Sequence, residues 1–133
     1  MFVDASALVA LLDDEPEGES LADRLEAAAD SFTSPLALYE AALAIRRKRR
    51  RPLSVIQADI STFLQTTGMR LVSIPPGAAE RALAAFEQYG KGTGHPAQLN
   101  MGDCFAYAMA EIHGVPLLFK GNDFAMTEIG RRG

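Results

Sequence analysis

The fold class follows from residues 103–119, whose sequence is DCFAYAMAEIHGVPLLF. Asp103 to His113 is almost entirely apolar and is predicted to be a buried helix, and Gly114 is the residue type that most often follows a helix end. Val115 to Phe119 is a short apolar run, which is typical of a buried strand. A buried helix followed by a buried strand is typical of α/β proteins, in which helices cover both faces of a parallel sheet.

The same alternation of strand-like and helix-like segments extends back to the N-terminus. Further strands are predicted at residues 1–3, 31–33 and 70–74, and the segments between them carry apolar residues at helical spacing. Because parallel strands need crossover connections, the sequence predicts an α/β fold with three layers, α/β/α, around a central and mainly parallel sheet of four to five strands. Residues 1–133 are expected to form a single domain, since this length is typical of one domain.

Composition and charge exclude several classes of protein. The 133 residues carry a net charge of −4 and 48% hydrophobic residues, which fits a folded globular chain and disfavours a generally basic nucleic-acid binder. Cys104 is the single cysteine, so an intrachain disulfide is excluded and a reducing cytoplasmic location is expected. The chain has no apolar run near the ~18–20 residues of a membrane span, and its N-terminus lacks the basic segment of a signal peptide.

Four acidic residues stand where strands end or helices begin. Asp4 follows the first strand, and Glu40 lies near the start of the helix after the second strand. Asp103 opens the apolar helix, and Asp123 lies in the turn after the last predicted strand. Each acid also fits an ordinary role as an N-cap, a solvated side chain or a turn residue. Because the carboxyl ends of parallel strands meet at one edge, where ligands bind, we expect the four carboxylates to face one cleft.

Carboxylates gathered in one cleft favour a divalent cation. Two of them ~5 Å apart repel by roughly 3 kcal/mol at an effective dielectric of ~20. All-oxygen ligands favour Mg²⁺ or Mn²⁺ over zinc, and such an ion acidifies a bound water and stabilises charge on a phosphate. The predicted chemistry is therefore hydrolysis of a phosphodiester. Ser6 and Asn122 stand beside two of the acids and are expected to orient ligands or waters.

The centre of the sequence contains six consecutive basic residues. They are Arg46, Arg47, Lys48, Arg49, Arg50 and Arg51. Cations at the C-terminal end of a helix complement its dipole, which is the structural interpretation of this run. The functional interpretation is a strip that contacts the phosphates of RNA, or the acidic segments of a protein partner.

Several motifs resemble the PIN domain, and specifically the VapC-type toxins of bacterial toxin–antitoxin pairs. The N-terminal MFVDASAL (residues 1–8) and the helical Glu40 fit the general pattern. Two C-terminal stretches are similar to a more specific signature of one VapC subgroup. They are YGKGTGHPAQLNMGDCFAYA (residues 89–108) and LLFKGNDF (residues 117–124), with Thr127 close behind. Together the motifs extend over almost the whole chain.

The resemblance implies a PIN-like fold and an endoribonuclease that depends on Mg²⁺ or Mn²⁺. The family's acidic quartet, which is both catalytic and metal-binding, matches Asp4, Glu40, Asp103 and Asp123. A homodimer, a small VapB-type antitoxin whose tail enters the acidic cleft, and RNA targets that include tRNA are also implied. The sequence departs from the family pattern at Phe119, where relatives often carry Thr or Ser, and at Glu128, where Asp is common. Glu128 is therefore assigned no metal-binding role.

Two other functions stay open on the sequence alone. One is a receiver-like signalling domain, in which an Asp at the end of a central strand accepts a phosphoryl group. The predicted strand at residues 70–74 does not supply that acid, because Pro75 and Pro76 follow it. The other is a non-catalytic interaction module that binds a protein through its basic run.

Overall fold

Four short strands form the central sheet. The computed structural model describes residues 1–131, and the strands are β1, Phe2–Val3; β2, Phe32–Thr33; β3, Arg70–Leu71; and β4, Leu117–Leu118. Every neighbouring pair is parallel, and the order across the sheet is β3-β2-β1-β4. β1 therefore lies inside the sheet between β2 and β4, and the carboxyl ends of all four strands meet at one edge.

Seven helices within residues 1–131 connect these strands or follow the last of them. They are α1, Ala5–Leu12; α2, Gly18–Ala27; α3, Pro35–Arg49; α4, Leu53–Thr67; α5, Ala78–Tyr89; α6, Met101–His113; and α7, Glu128–Arg131. Over the same residues, no helix combines the length and the apolar character that crossing a membrane requires.

The two-residue strands direct one side chain to each face of the sheet, as the alternation of strand geometry requires. Phe2, Phe32 and Leu117 contribute to a core with α5 and α6 on one face. Val3 and Leu118 contribute to a second core with α1 to α4 on the other face. Helices thus cover both faces, and the predicted three-layer fold with a parallel four-stranded sheet is confirmed.

The start of α3 is set by local sequence. Ser34 is the N-cap, and its Oγ accepts a hydrogen bond from the Ala37 N–H at 3.2 Å. Pro35 follows at the first helical position, where a missing N–H costs nothing. Because Ser34 directly follows β2, this cap starts α3 at the carboxyl edge of the sheet and sets Glu40 in its second turn.

The predicted start of α6 at Asp103 was wrong by two residues. Asn100 is the N-cap, and its Oδ1 accepts a hydrogen bond from the Asp103 N–H at 2.9 Å. Asp103 Oδ2 in turn accepts from the Asn100 N–H at 3.0 Å, which completes a capping box. Asp103 is therefore the third helical residue, and the interpretation of Asp103 as an N-cap is also wrong.

The strands are shorter than predicted. β4 covers Leu117–Leu118 instead of residues 115–119, since Pro116 has no N–H for a ladder. β3 covers Arg70–Leu71 instead of residues 70–74, and Val72 contributes one further bond from its N–H to Thr33 O at 2.9 Å. Short strands suffice here because the covering helices supply most of the buried apolar side chains.

Candidate active site

Asp4 lies at the carboxyl end of β1, in the interior of the sheet. It is buried and caps α1, and its Oδ2 accepts hydrogen bonds from the Ser6 N–H at 3.0 Å and the Ser6 Oγ at 2.7 Å. Burial raises the pKa of Asp4, and the hydrogen bonds from Ser6 oppose that rise. The expected N-cap role of Asp4 is thus present, but burial sets this acid apart from an ordinary exposed cap.

Ser6 connects Asp4 to the segment that follows β4. Its Oγ accepts a hydrogen bond from the Lys120 N–H at 3.0 Å while it donates to Asp4. A hydroxyl has one proton, so this pattern directs the proton of Ser6 to the Asp4 carboxylate. Ser6 therefore orients Asp4 and fixes the end of β4 against the start of α1.

Glu40 projects from α3 against the first turn of α6. The chain can approach this closely because residue 102 is glycine: a Cβ atom there would overlap the Glu40 carboxylate. Glu40 is half-buried, and burial, followed by the negative charges of Asp4 and Asp103, raises its pKa to about 7. The ordinary role of a solvated side chain, which the sequence also allowed for Glu40, therefore does not apply.

Asp103 carries the second strongly shifted carboxyl of the site. Burial raises its pKa to about 6, against the opposing hydrogen bond from Asn100 and with further rises from Asp4 and Asp123. A capping carboxylate at a helix N-terminus is ordinarily stabilised in its charged form. The upward shift shows that burial and neighbouring acids dominate at this position.

Asp123 is exposed in the loop after β4, and its negative charge contributes to the raised pKa of both Asp4 and Asp103. The structure therefore brings all four predicted acids into one electrostatically coupled group. They come from four different segments of the chain and meet at one edge of the sheet. Asn122 is exposed beside Asp123, and within residues 1–131 its side chain forms no hydrogen bond to the quartet.

The donor set fits a hard divalent cation. It consists only of carboxylates, whose charged forms are disfavoured first by burial and then by repulsion between the acids, and a cation would offset both effects. Within the described residues, no three His, Cys, Asp or Glu side chains already stand close enough together to hold an ion. Binding would therefore have to draw the carboxylates inward.

Half of the basic run is engaged in ion pairs. Lys48 Nζ lies 2.8 Å from Asp13 Oδ2 and 2.6 Å from Glu15 Oε2, and Arg49 Nε lies 2.7 Å from Asp13 Oδ1. Arg51 pairs with Asp59 at 3.3 Å. Lys48 and Arg49 join α3 to the segment after α1, and Arg51 joins the α3–α4 turn to α4, so the three cations have a structural role that the run alone does not reveal.

The sequence did not predict the ion pairs of Lys120. Its Nζ lies 2.9 Å from Glu15 Oε1 and 3.4 Å from Glu17 Oε2, so the Glu15 carboxylate lies between Lys120 and Lys48. This bridge links the segment before Asp123 to the end of α3. The sequence does offer local signals for the rest of the site. Gly102 directly precedes Asp103, and Asn100, a good helix cap, lies three residues before Asp103.

The two departures from the expected pattern have structural roles. Phe119 packs its ring against Phe124, with centroids 5.3 Å apart, and borders the core beside α6. Glu128 starts α7, and its N–H donates to the Tyr89 Oη at 3.3 Å. Thr127 is buried, and its Oγ1 donates to Phe124 O at 2.7 Å.

Comparisons with known proteins show extensive similarity. The family model described as the PIN domain matches residues 1–129. A VapC ribonuclease of Rhizobium meliloti (strain 1021) is 40% identical, over 97% of this chain and 99% of that protein. Ribonuclease VapC30 of Mycobacterium tuberculosis (strain ATCC 25618 / H37Rv) is 41% identical, over 97% of this chain and 95% of its own.

One solved structure shares the fold at low sequence identity. It is the crystal structure of Mycobacterium tuberculosis VapC20, described as a Sarcin-Ricin loop cleaving toxin. The two chains superimpose with a TM-score of 0.69 at 19% identity, over 93% of this chain and 92% of that one.

Proposed function

Because the chain belongs to the PIN domain family and, within it, to the VapC ribonucleases, we propose that it is an endoribonuclease that hydrolyses RNA phosphodiester bonds at the acidic cleft. It would act as the toxin of a type II toxin–antitoxin pair. The single observation that carries the proposal is the meeting of four carboxylates from four segments at one edge of the sheet, where burial first, and then the charges of neighbouring acids, raise the pKa of Asp4, Glu40 and Asp103. A structural use of the same residues would not require them to repel one another.

Mg²⁺ or Mn²⁺ is the proposed cofactor. Asp4, Glu40, Asp103 and Asp123 would hold it, because oxygen ligands suit these hard ions. When bound, the ion supplies an acidified water and stabilises negative charge on the phosphate. The family match favours this function over the receiver domain and the interaction module.

The chain's own residues prepare the cleft in different ways. Ser6 holds its hydroxyl proton toward Asp4 Oδ2, so the Asp4 carboxylate has a fixed orientation. The capping box holds Asp103 Oδ2 against the Asn100 N–H. Glu40, with its pKa at about 7, carries a proton in part of the metal-free molecules at neutral pH. Cation binding would release that proton, which couples metal affinity to pH.

The proposed partners follow from the family. They are an RNA substrate, with tRNA among the candidates, and a small VapB-type antitoxin whose tail enters the acidic cleft. A second copy of the chain, in a homodimer, is also proposed. The site of action is then the cytoplasm, where such RNAs are found.

The test is cleavage of a fluorescently labelled RNA by the purified full chain. We expect cleavage with Mg²⁺ or Mn²⁺, none in excess EDTA, and recovery when the ion is returned. Asp103→Asn should lower the rate by more than about 100-fold, since residues that only orient metal ligands already cost 10–100-fold. Asp23→Asn, an exposed acid on α2, is the matched control and should cleave normally. Equal cleavage in EDTA, or by Asp103→Asn, would reject the proposal.

A further inference from the structure

Helix α3 carries an exposed tyrosine next to Glu40 in the sequence and basic residues farther along. Tyr39 precedes Glu40 and is 61% exposed, although aromatic rings are ordinarily buried. Arg46 follows Tyr39 by seven residues, and Arg47 follows Glu40 by seven. Seven residues are almost two helical turns, so each arginine lies on the same side of α3 as its partner, about 10 Å along the axis. The Glu40–Arg47 stripe leads from the acidic cleft toward the end of α3, and the Tyr39–Arg46 stripe runs parallel to it about 100° around the helix.

Among residues 1–131, the arginines on these two stripes belong to the part of the basic run that forms no ion pair. Lys48, Arg49 and Arg51 are paired with acids, as described above. Within residues 1–131, the exposed guanidinium groups of Arg46, Arg47 and Arg50 have no acidic partner. We call Tyr39, Arg46, Arg47 and Arg50 the α3 track.

The far end of the track forms a positively charged concavity. Arg46, Arg50 and Arg51 line an open cavity of about 470 Å³ together with Pro52 and Leu53. Arg50 ends α3 in a left-handed conformation, with φ 53°, and its N–H donates to Arg46 O at 2.8 Å. Glycine is favoured in this conformation, so an arginine here carries a conformational cost that a binding role would explain.

The chemistry of the track fits single-stranded RNA. Bases stack on exposed aromatic rings, and arginine forks bind phosphate oxygens in pairs. The protein has a net charge of −4 and an acidic cleft, so an RNA strand needs compensating cations close by. Tyrosine and arginine also anchor protein interfaces, so an acidic protein segment is the alternative that the test below excludes.

We propose that the α3 track binds the RNA strand on one side of the cleavage site, with a base stacked on Tyr39 and phosphates held by Arg46, Arg47 and Arg50. The inference rests on the proposed ribonuclease function, whose cleft lies at the start of the same helix. It assigns a direction to the substrate, since the bound strand extends from Glu40 toward the α3–α4 turn.

Fluorescence anisotropy with a short, unstructured, labelled RNA tests the arginines. The full chain carries Asp103→Asn, and EDTA is present, so binding is measured without cleavage. Replacing Arg46, Arg47 and Arg50 together by Gln should weaken binding and reduce the slope of log affinity against log salt by about two, at about 0.7 per lost phosphate contact. The matched control replaces Arg24, Arg70 and Arg81 by Gln, which removes the same charge from other elements and should leave the slope unchanged.

The same assay tests the aromatic ring. Tyr39→Ala should weaken binding by about five-fold or more at every salt concentration without changing the salt slope, because stacking releases no counterions. Tyr39→Phe should bind like the parent chain. Thermal melts verify that each variant is folded.

Three results would overturn the inference. The first is a salt slope of the triple variant equal to that of its control, and the second is unchanged RNA binding by Tyr39→Ala. The third is found with a labelled polyglutamate peptide in the same assay: the track substitutions weaken binding of the peptide but not of the RNA. Cleavage by the wild-type chain is scored separately. Loss of binding in the track variants would support the inference even if no cleavage occurred, a result that would reject only the proposed function.

Discussion

The Glu40 carboxylate lies directly against Gly102, so closely that any side chain at position 102 would overlap it. The two residues join α3 to α6 at the point where two of the four acids meet. Glycine is favoured here by the position of the Glu40 carboxylate and not by backbone conformation, since only positive φ values restrict a position to glycine-like residues and Gly102 has none.

Gly102→Ala should therefore displace Glu40 or shift α6. We expect only a small loss of stability, because the flexible end of the Glu40 side chain can move aside, and a fall in RNA cleavage of roughly 100-fold from the displaced carboxylate. Urea denaturation and the cleavage assay measure the two effects. Gly77→Ala is the control, because a Cβ atom at residue 77 meets nothing within 4 Å. Wild-type cleavage by Gly102→Ala would contradict the proposed position of Glu40.

Ser6→Ala should destabilise the protein and disorient Asp4. The change removes a donor to the buried Asp4 Oδ2 and leaves the Lys120 N–H without its acceptor. Leaving such groups unsatisfied costs about 1–3 kcal/mol. Urea denaturation should show this loss, and cleavage should fall as well. Ser61→Ala, on the exposed side of α4, should be neutral or slightly stabilising, since alanine favours helix. Equal stability of the two variants would show that the Ser6 bridge contributes nothing.

Glu40 makes the metal-free protein less stable as the pH rises. Its pKa rises from the unfolded value of 4.5 to about 7 in the folded chain, so the folded state binds the proton more tightly. Stability should then fall as the pH increases from 4.5 to about 7. Melting temperatures measured in EDTA across this range should show the decline. Glu40→Gln should make the decline smaller but not remove it, because the pKa values of Asp4 and Asp103 are also raised, and Mg²⁺ should reduce it by favouring the charged carboxylates. A decline of unchanged size in Glu40→Gln would assign the effect to other groups.

Glu15 should have the opposite pH dependence. Hydrogen bonds from Lys48 and then Lys120 lower its pKa, so its contribution is present above the unfolded value of 4.5 and is lost as the pH falls through the lower folded value. Glu15→Gln should lower the melting temperature at neutral pH, more at low salt than at high salt. The loss should shrink in acid. Glu19→Gln, an exposed change on α2, should have little effect at either pH. An equal loss at all pH values would contradict the ion-pair explanation.

The meeting of the acids could be predicted because parallel topology restricts where strand ends lie. Asp4 and Asp123 follow β1 and β4, which are neighbours in the sheet. The two helices that carry Glu40 and Asp103 each show a recognisable start near that edge. Alternating strand and helix patterns were therefore sufficient to predict the group of residues, although not its distances.

The division of the basic run could not be predicted. Lys48 and Arg49 pair with acids that lie 33 and 36 residues earlier, and no local pattern specifies such contacts. The predicted start of α6 was wrong for a different reason. Asparagine and aspartate are both good caps, and the sequence alone did not indicate that Asn100 and Asp103 cap reciprocally.

The capping box has a consequence for which inactivating mutations the fold tolerates. Asp103 serves the cleft and also accepts a hydrogen bond from the Asn100 N–H, so its replacement by alanine removes a charge and one half of the capping box at the start of a buried helix. Asparagine keeps an acceptor oxygen at the same distance from the backbone and preserves the helix start. When residue 103 is replaced by every other amino acid, all variants should lose catalysis. Only the few side chains that can still accept the Asn100 N–H should keep the abundance of the wild-type protein.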